Sequence, residues 1–149
     1  MNMNIDELEK GLDLIRKFCE ENGIKDVLYN QKYLEIMAAK RHGMVYNPDP
    51  QGADATNPVT GGDVEIKCCR EGGSWQFHWL SNNKMNKLKK TEQMILAVHN
   101  NYQILRSYQL NPSQCNDIKL LIEQKATGTS SIGGHKSFSE KQLKNLGLI

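Results

Sequence analysis

The stretch GADATNPVTGGDVEIK, residues 52–67, changes character halfway along. Its first part is loop and hairpin material, since residues 47–62 hold three of the four prolines of the chain. Asp63-Val64-Glu65-Ile66-Lys67-Cys68-Cys69 then reads as a short strand, with Val64, Ile66 and Cys68 on one face and Glu65 and Lys67 on the other. Strand period two sets Glu65 and Lys67 about 7 Å apart along the chain. A hairpin would bring the carboxylate of Asp54 beside Glu65. Two carboxylates a few Å apart repel unless a cation lies between them. Hard oxygen ligands with open positions suit Mg²⁺, which keeps several waters and accepts phosphate oxygens. The Ile66 carbonyl would point into the same pocket, and the Lys67 ammonium could offset charge developing on a phosphate. The plain alternative is a solvated strand face carrying a weak Glu-x-Lys ion pair.

Outward from this hairpin, the chain reads as helices around strands. Asn4 and Glu7 resemble a capping box, and Ile5, Leu8, Leu12, Ile15 and Phe18 recur at helical spacing over 5–21, ended by Asn22-Gly23. A second helix is predicted over 30–42 and stopped by Gly43. Glu71-Gly72-Gly73 is a turn, and residues 75–80 (WQFHWL) form an aromatic strand. Residues 81–92 form a polar, basic loop leading into a short helix. Residues 93–100 are a nearly continuous apolar run, as expected of a central strand covered on both faces. Residues 102–110 form its antiparallel neighbour across Asn100-Asn101. Pro112 starts a helix to about Lys125, residues 126–137 form a flexible segment, and Ser139–Leu146 form a short helix capped by Gly147. The fold class expected is α/β, a mixed central sheet flanked by helices, in one domain of 149 residues.

Composition limits the function classes. Hydrophobic residues make up 38% and charged residues 24%, which fits a folded chain. The formal net charge is only +2, so any DNA affinity must rest on where Lys and Arg sit. No stretch approaches the roughly 18 apolar residues of a membrane helix, and the acidic N-terminus lacks a signal pattern. A cytoplasmic protein with no membrane partner is expected. Cys19, Cys68, Cys69 and Cys115 include no Cys-x-x-Cys pair, so reduced thiols are expected rather than a zinc site.

Gly52-x-Asp54-Ala55 followed by Glu65-x-Lys67 resembles the PD-(D/E)xK nuclease superfamily, most closely its PvuII-like Type II restriction endonucleases. The resemblance runs over roughly residues 47–122, through the aromatic strand, the apolar strand Gln93–His99 and Leu110-Asn111-Pro112. It implies a restriction-endonuclease-like core with its catalytic part over about 30–125. It also implies Mg²⁺-dependent hydrolysis of double-stranded DNA, Asp54 and Glu65 as metal ligands with the Ile66 carbonyl, and Lys67 as the catalytic lysine. Mn²⁺ is expected to substitute. Gln51 falls where relatives carry an acidic residue. Asp63, on the strand face of Glu65, is a rival ligand. Glu35 is a further candidate, since many family members place a helical Glu beside the metal, although an ordinary helix-surface carboxylate explains it as well.

Residues 75–90 combine aromatics, a His, two adjacent Asn and four Lys. Lys84, Lys87, Lys89 and Lys90 suit phosphates, while His78, Ser81, Asn82 and Asn83 suit base edges. The competing explanation is a solvated basic helix beside a core strand. Lys136 is set aside as linker, His99 as structural and His42 as a cation at a helix end. A homodimer joined through the N-terminal helix would match a palindromic site. Other readings are a junction resolvase or repair nuclease, the small catalytic subunit of a heterodimeric restriction enzyme, or a nucleic-acid-binding module without activity.

Overall fold

A computed structural model of the chain describes residues 4–77, 82–127 and 136–149, without the side chains of Asn82 and 124–127. The chain divides into two compact units, Met1–Tyr33 and Leu34–Ile149. In the first, helix α1 (Ile5–Asn22) begins where the Asn4 side chain accepts from the Glu7 amide, one half of the expected capping box. It ends on left-handed Gly23, whose N–H returns to the Cys19 carbonyl. None of its residues is buried. Asp26 Oδ1 then accepts from the amides of Leu28 and Tyr29 at 3.0 and 3.1 Å. A 3-10 turn follows over Tyr29–Gln31. Helix α2 (Lys32–Arg41) starts at the boundary between the units.

The second unit is built on a five-stranded mixed sheet with strand order β1-β2-β3-β5-β6. Its strands are β1 (Val45–Tyr46), β2 (Ala55–Thr56), β3 (Asp63–Arg70), β5 (Gln93–Asn100) and β6 (Gln103–Leu110). β1, β2 and β3 form an antiparallel run, β5 lies parallel to β3, and β6 is antiparallel to β5. A parallel neighbour requires a crossover. Here it consists of β4 (Ser74–Phe77) and helix α3 (Asn82–Lys90). Helix α4 (Pro112–Thr127) starts at Pro112 as expected. Strand β7 (Lys136–Ser139) and helix α5 (Glu140–Asn145) complete the chain, with Ser139 and Gln142 forming a full capping box. The expected α/β class, a mixed sheet flanked by helices, is therefore the class found. Among the described residues no helix is long and apolar enough to cross a membrane.

Two expectations need correction. Lys136–Ser139 is not linker: it pairs antiparallel with β4, Phe138 opposite Trp75, and its Phe138 is buried. A four-residue strand with a single buried residue leaves too short a pattern to read. The β5–β6 turn is carried by Asn101 and Tyr102, both at positive φ (45° and 62°), not by Asn100-Asn101. That conformation follows the right-handed twist of the flanking strands.

Alternation on β3 and β5 sorts the core. Cys69, Met94, Leu96 and Val98 join Trp75, Phe77, Leu110, Ile118 and Ile122 in one cluster. Val64, Ile66, Ile95 and Ala97 are buried on the other face. Both faces of β5 are thus covered, which is why its run is continuous rather than alternating. The indole of Trp75 donates to the Ala97 carbonyl at 2.9 Å, giving the buried ring a partner.

Arg106 of β6 holds Glu140 through Nε at 2.8 Å and Nη2 at 2.5 Å, and the Tyr108 hydroxyl donates to the same carboxylate. The Arg106 hydrogen bond, followed by those from Tyr108 and Lys144, holds the Glu140 carboxyl well below the usual carboxylate range. This stability is fully present above the ordinary carboxylate range and is lost progressively as pH falls below it toward the lowered folded value. Glu140→Gln is expected to cost about 1–3 kcal/mol at pH 7. Urea unfolding at pH 7 and pH 3 checks this, with the gap between variant and wild type narrowing at pH 3 without closing, because the folded carboxyl is held below that pH.

Candidate active site

The hairpin β2–β3 is fixed by Asn57. Its side-chain Oδ1 accepts from the Val59 amide at 2.9 Å and its Nδ2 donates to Gln93 Oε1 at 2.8 Å. Asn57 N donates to the Gly62 carbonyl and Gly61 N to the Asn57 carbonyl. Gly61 takes φ +73°, a conformation open to glycine at little cost. β2 is only two residues long, with Ala55 opposite Val64. The same register continued by one residue sets Asp54 opposite Glu65. There the Asp54 side chain replaces the missing strand: its Oδ2 accepts from the Ile66 amide at 2.8 Å. In a strand the amide and carbonyl of one residue point to the same side, so the Ile66 carbonyl faces the Asp54 side as well.

Glu65 and Lys67 form a direct ion pair. Their side chains are only 14% and 27% exposed, which removes them from the class of solvated surface pairs worth little. The Lys67 ammonium also lies 5.8 Å from the centre of the Phe77 ring. Burial by itself would lower the Lys67 pKa, but the charges of Glu65, Asp54 and Glu35 outweigh it and raise it, so Lys67 stays a cation. Asp54 goes the other way for a carboxylate. Burial first, and the Glu65 charge second, push its pKa up to about 6, against the opposing pull of Lys67, the Ile66 amide and Lys87.

The expected residues do not all gather. Asp54, Glu65 and Lys67 come together with the Ile66 backbone. Glu35, half-buried on α2, joins them electrostatically, since its charge acts on Lys67, Cys68 and Tyr46. Asp63 lies two residues before Glu65 on β3 and pairs with Thr56. Gln51 is exposed in the preceding turn, where its amide donates to Asp49 Oδ1 at 2.9 Å. His42 is not the expected helix-end cation. Burial lowers its pKa, and its Nε2 hydrogen-bonds Ser107 Oγ at 2.7 Å. His99 is buried at the end of β5.

On α3, Lys84, Lys89 and Lys90 are exposed and Lys87 is half-buried, while Leu88 anchors the helix in the core. Lys87 is the lysine that acts on Asp54. Asn83 is exposed. Of the other base-reading candidates, His78 and Ser81 lie outside the described residues, and only the backbone of Asn82 is described.

Sequence reasoning missed Tyr46 and Cys68. Burial, then the charges of Glu35 and Asp54, push the Tyr46 hydroxyl up to about 12. Burial, then Glu35, push the Cys68 thiol up to about 12. Tyr46 sits on a two-residue strand opposite Ala55, and so short a strand has no periodicity to betray it.

Among the described residues no group of three or more His, Cys, Asp or Glu side chains is arranged to hold a metal. Mg²⁺ does not require one, because it binds through one or two carboxylates and keeps its waters. Asp54, Glu65 and the Ile66 carbonyl fit that donor set, and burial first and the Glu65 charge second leave Asp54 a carboxylate that a bound cation would stabilise. Calorimetric titration with Mg²⁺ separates the two ligand choices: Asp54→Ala should abolish binding and Asp63→Ala should leave it within about twofold, a gap of at least about 1.4 kcal/mol. No protein-family model matches the chain, and no curated protein matches its sequence.

Proposed function

We propose that this chain is a Mg²⁺-dependent DNA endonuclease of the PD-(D/E)xK kind, with a restriction-endonuclease-like core. Within that class it reads as a Type II restriction enzyme, acting as a homodimer on double-stranded DNA. The observation that carries this is the hairpin cluster: a carboxylate with its pKa pushed up to about 6 by burial and by a second carboxylate, beside a half-buried lysine. A purely structural ion pair has no need of the second acid, since burying an extra carboxylate costs stability.

Asp54, Glu65 and the Ile66 carbonyl would hold the divalent ion, with Mg²⁺ or Mn²⁺ as occupant. When bound, such an ion polarises a phosphoryl oxygen and lowers the pKa of a coordinated water. Lys67, held by Glu65 and lying near Phe77, places a permanent positive charge where the scissile phosphate gains negative charge. Lys84, Lys87, Lys89 and Lys90 of α3 contribute sequence-independent contacts to the DNA backbone. His78, Ser81, Asn82 and Asn83 are assigned to base edges. The entirely unburied α1, with its apolar Ile5, Leu8 and Leu12, supplies a surface for a second copy.

Incubation of the purified protein with plasmid, phage and four-way-junction DNA, in Mg²⁺ or chelator, tests this. Discrete fragments from linear and plasmid DNA support restriction. Cutting confined to junctions assigns the same chemistry to a resolvase or repair nuclease. Cutting that appears only when a second subunit is supplied assigns it to the small subunit of a heterodimer. DNA binding without cutting in any divalent metal reduces the chain to a binding module and overturns the proposal.

A further inference from the structure

The carboxyl ends of parallel strands β3 and β5 open on a cavity of about 230 Å³. Ligands of open α/β sheets characteristically lie outside the carboxyl ends of the strands. The volume is below the about 300–1,000 Å³ of organic-ligand pockets, so a small polar group fits better than a cofactor. Cys69 and Val98 contribute apolar lining, and Arg70, Arg106 and Lys141 line it with positive charge.

These three cations face one carboxylate, Glu140, and that carboxylate is already committed to Arg106, Tyr108 and Lys144. Arg106 is equally committed, to Glu140 and to Glu71 at 3.3 Å. Arg70 and Lys141 differ. Both are exposed, and among the described residues their side chains form no hydrogen bond or ion pair. Folding has therefore left two cations at one cavity without a protein anion. Ser139 lines the same cavity, and its Oγ accepts from the Gln142 amide at 3.1 Å, which leaves its hydroxyl proton to donate. The turn at Gly72-Gly73 brings bare backbone to the rim: Gly72 takes φ +77°, and a Cβ on Gly73 would stand 3.0 Å from the Arg70 carbonyl.

We propose that this cavity binds a phosphate group, held between Arg70 and Lys141 with the Ser139 hydroxyl as a further donor. Arginine offers a planar fork to phosphate oxygens and lysine a point charge, so the pair satisfies both shape and charge. The site is built from other side chains than the Asp54–Glu65–Lys67 cluster and does not rest on the nuclease reading. The phosphate could be a free ion or the 5′ end of a DNA strand, and the two share this chemistry.

Calorimetric titration of the full chain with inorganic phosphate tests it. The wild type should show one saturable site. The double variant Arg70→Gln, Lys141→Gln should bind at least tenfold more weakly, and Lys67→Ala should bind like wild type. A parallel titration with short duplexes carrying a 5′-phosphate or a 5′-hydroxyl assigns the source. A preference for the phosphorylated end that vanishes in the double variant indicates DNA, and its absence alongside phosphate binding indicates the free ion; either supports the site. Absence of phosphate binding by the wild type overturns the proposal, as does unchanged binding by the double variant. Loss of binding on Lys67→Ala alone would move the phosphate to the hairpin, with the same consequence.

Discussion

Lys67→Ala is expected to lower DNA cleavage by about 10³-fold or more, while circular dichroism still reports a folded chain. The loss follows from position. Lys67 is paired with Glu65 and carries a pKa raised by Glu65, Asp54 and Glu35, so no other group within the hairpin supplies its charge. The variant also leaves Glu65 half-buried without its partner, which costs some stability. Lys67→Met, which keeps an apolar stem near Phe77, separates the two effects: it should recover part of the stability and none of the cleavage. Cleavage assays under single-turnover conditions measure the chemistry. Near-normal cutting by either variant would reject the assigned role.

Asp54→Asn is expected to stabilise the chain at neutral pH and to abolish Mg²⁺ binding. The folded pKa of Asp54 is about 6, above the ordinary value of 3.8. A carboxyl with a raised folded pKa prefers its proton in the native state, so stability falls as pH rises from about 4 to about 6 and stays low above that. Asn keeps an acceptor for the Ile66 amide and removes the buried charge. The gain should be about 1–3 kcal/mol at pH 7 and near zero at pH 4. Urea unfolding in chelator at both pH values reads it directly. In the wild type, Mg²⁺ affinity should weaken as pH falls below about 6, because Asp54 must lose its proton to act as a ligand. Equal stability of the two proteins at pH 7 would mean that Asp54 is not under the electrostatic stress described. Such a gain on disarming a site is the familiar trade between stability and activity.

The long elements were legible from residues alone because an apolar stripe or run of that length shows its period. α1 follows the 3.6 spacing of Ile5, Leu8, Leu12 and Ile15, and β5 is an unbroken apolar run because the sheet covers it on both faces. Strand period two fixes the Glu-x-Lys face and a glycine-bearing turn implies a hairpin, while it is the resemblance of Gly52-x-Asp54-Ala55 and Glu65-x-Lys67 to the nuclease motif that joins Asp54 to that pair. The short elements were not legible. β1 and β2 hold two residues each, and β7 holds four, none long enough to show alternation. Neither Tyr46 nor Lys136 therefore carries a strand signal in the sequence. The preference for Asp54 over Asp63 comes from the resemblance, and no spacing supplies its geometric basis. That basis depends on where β2 stops, since that end exposes the Ile66 amide that Asp54 takes up. Electrostatic contributions such as that of Glu35 depend on distances across the fold, which no spacing encodes.

A crystal of the full chain soaked in Mn²⁺, examined for anomalous scattering, addresses the hairpin most directly. One strong peak is expected between the Asp54 and Glu65 carboxylates, within about 2.0–2.3 Å of an oxygen of each and facing the Ile66 carbonyl. A map with no peak there at saturating Mn²⁺, or with the ion on Asp63 instead, would contradict the site on which the nuclease reading depends.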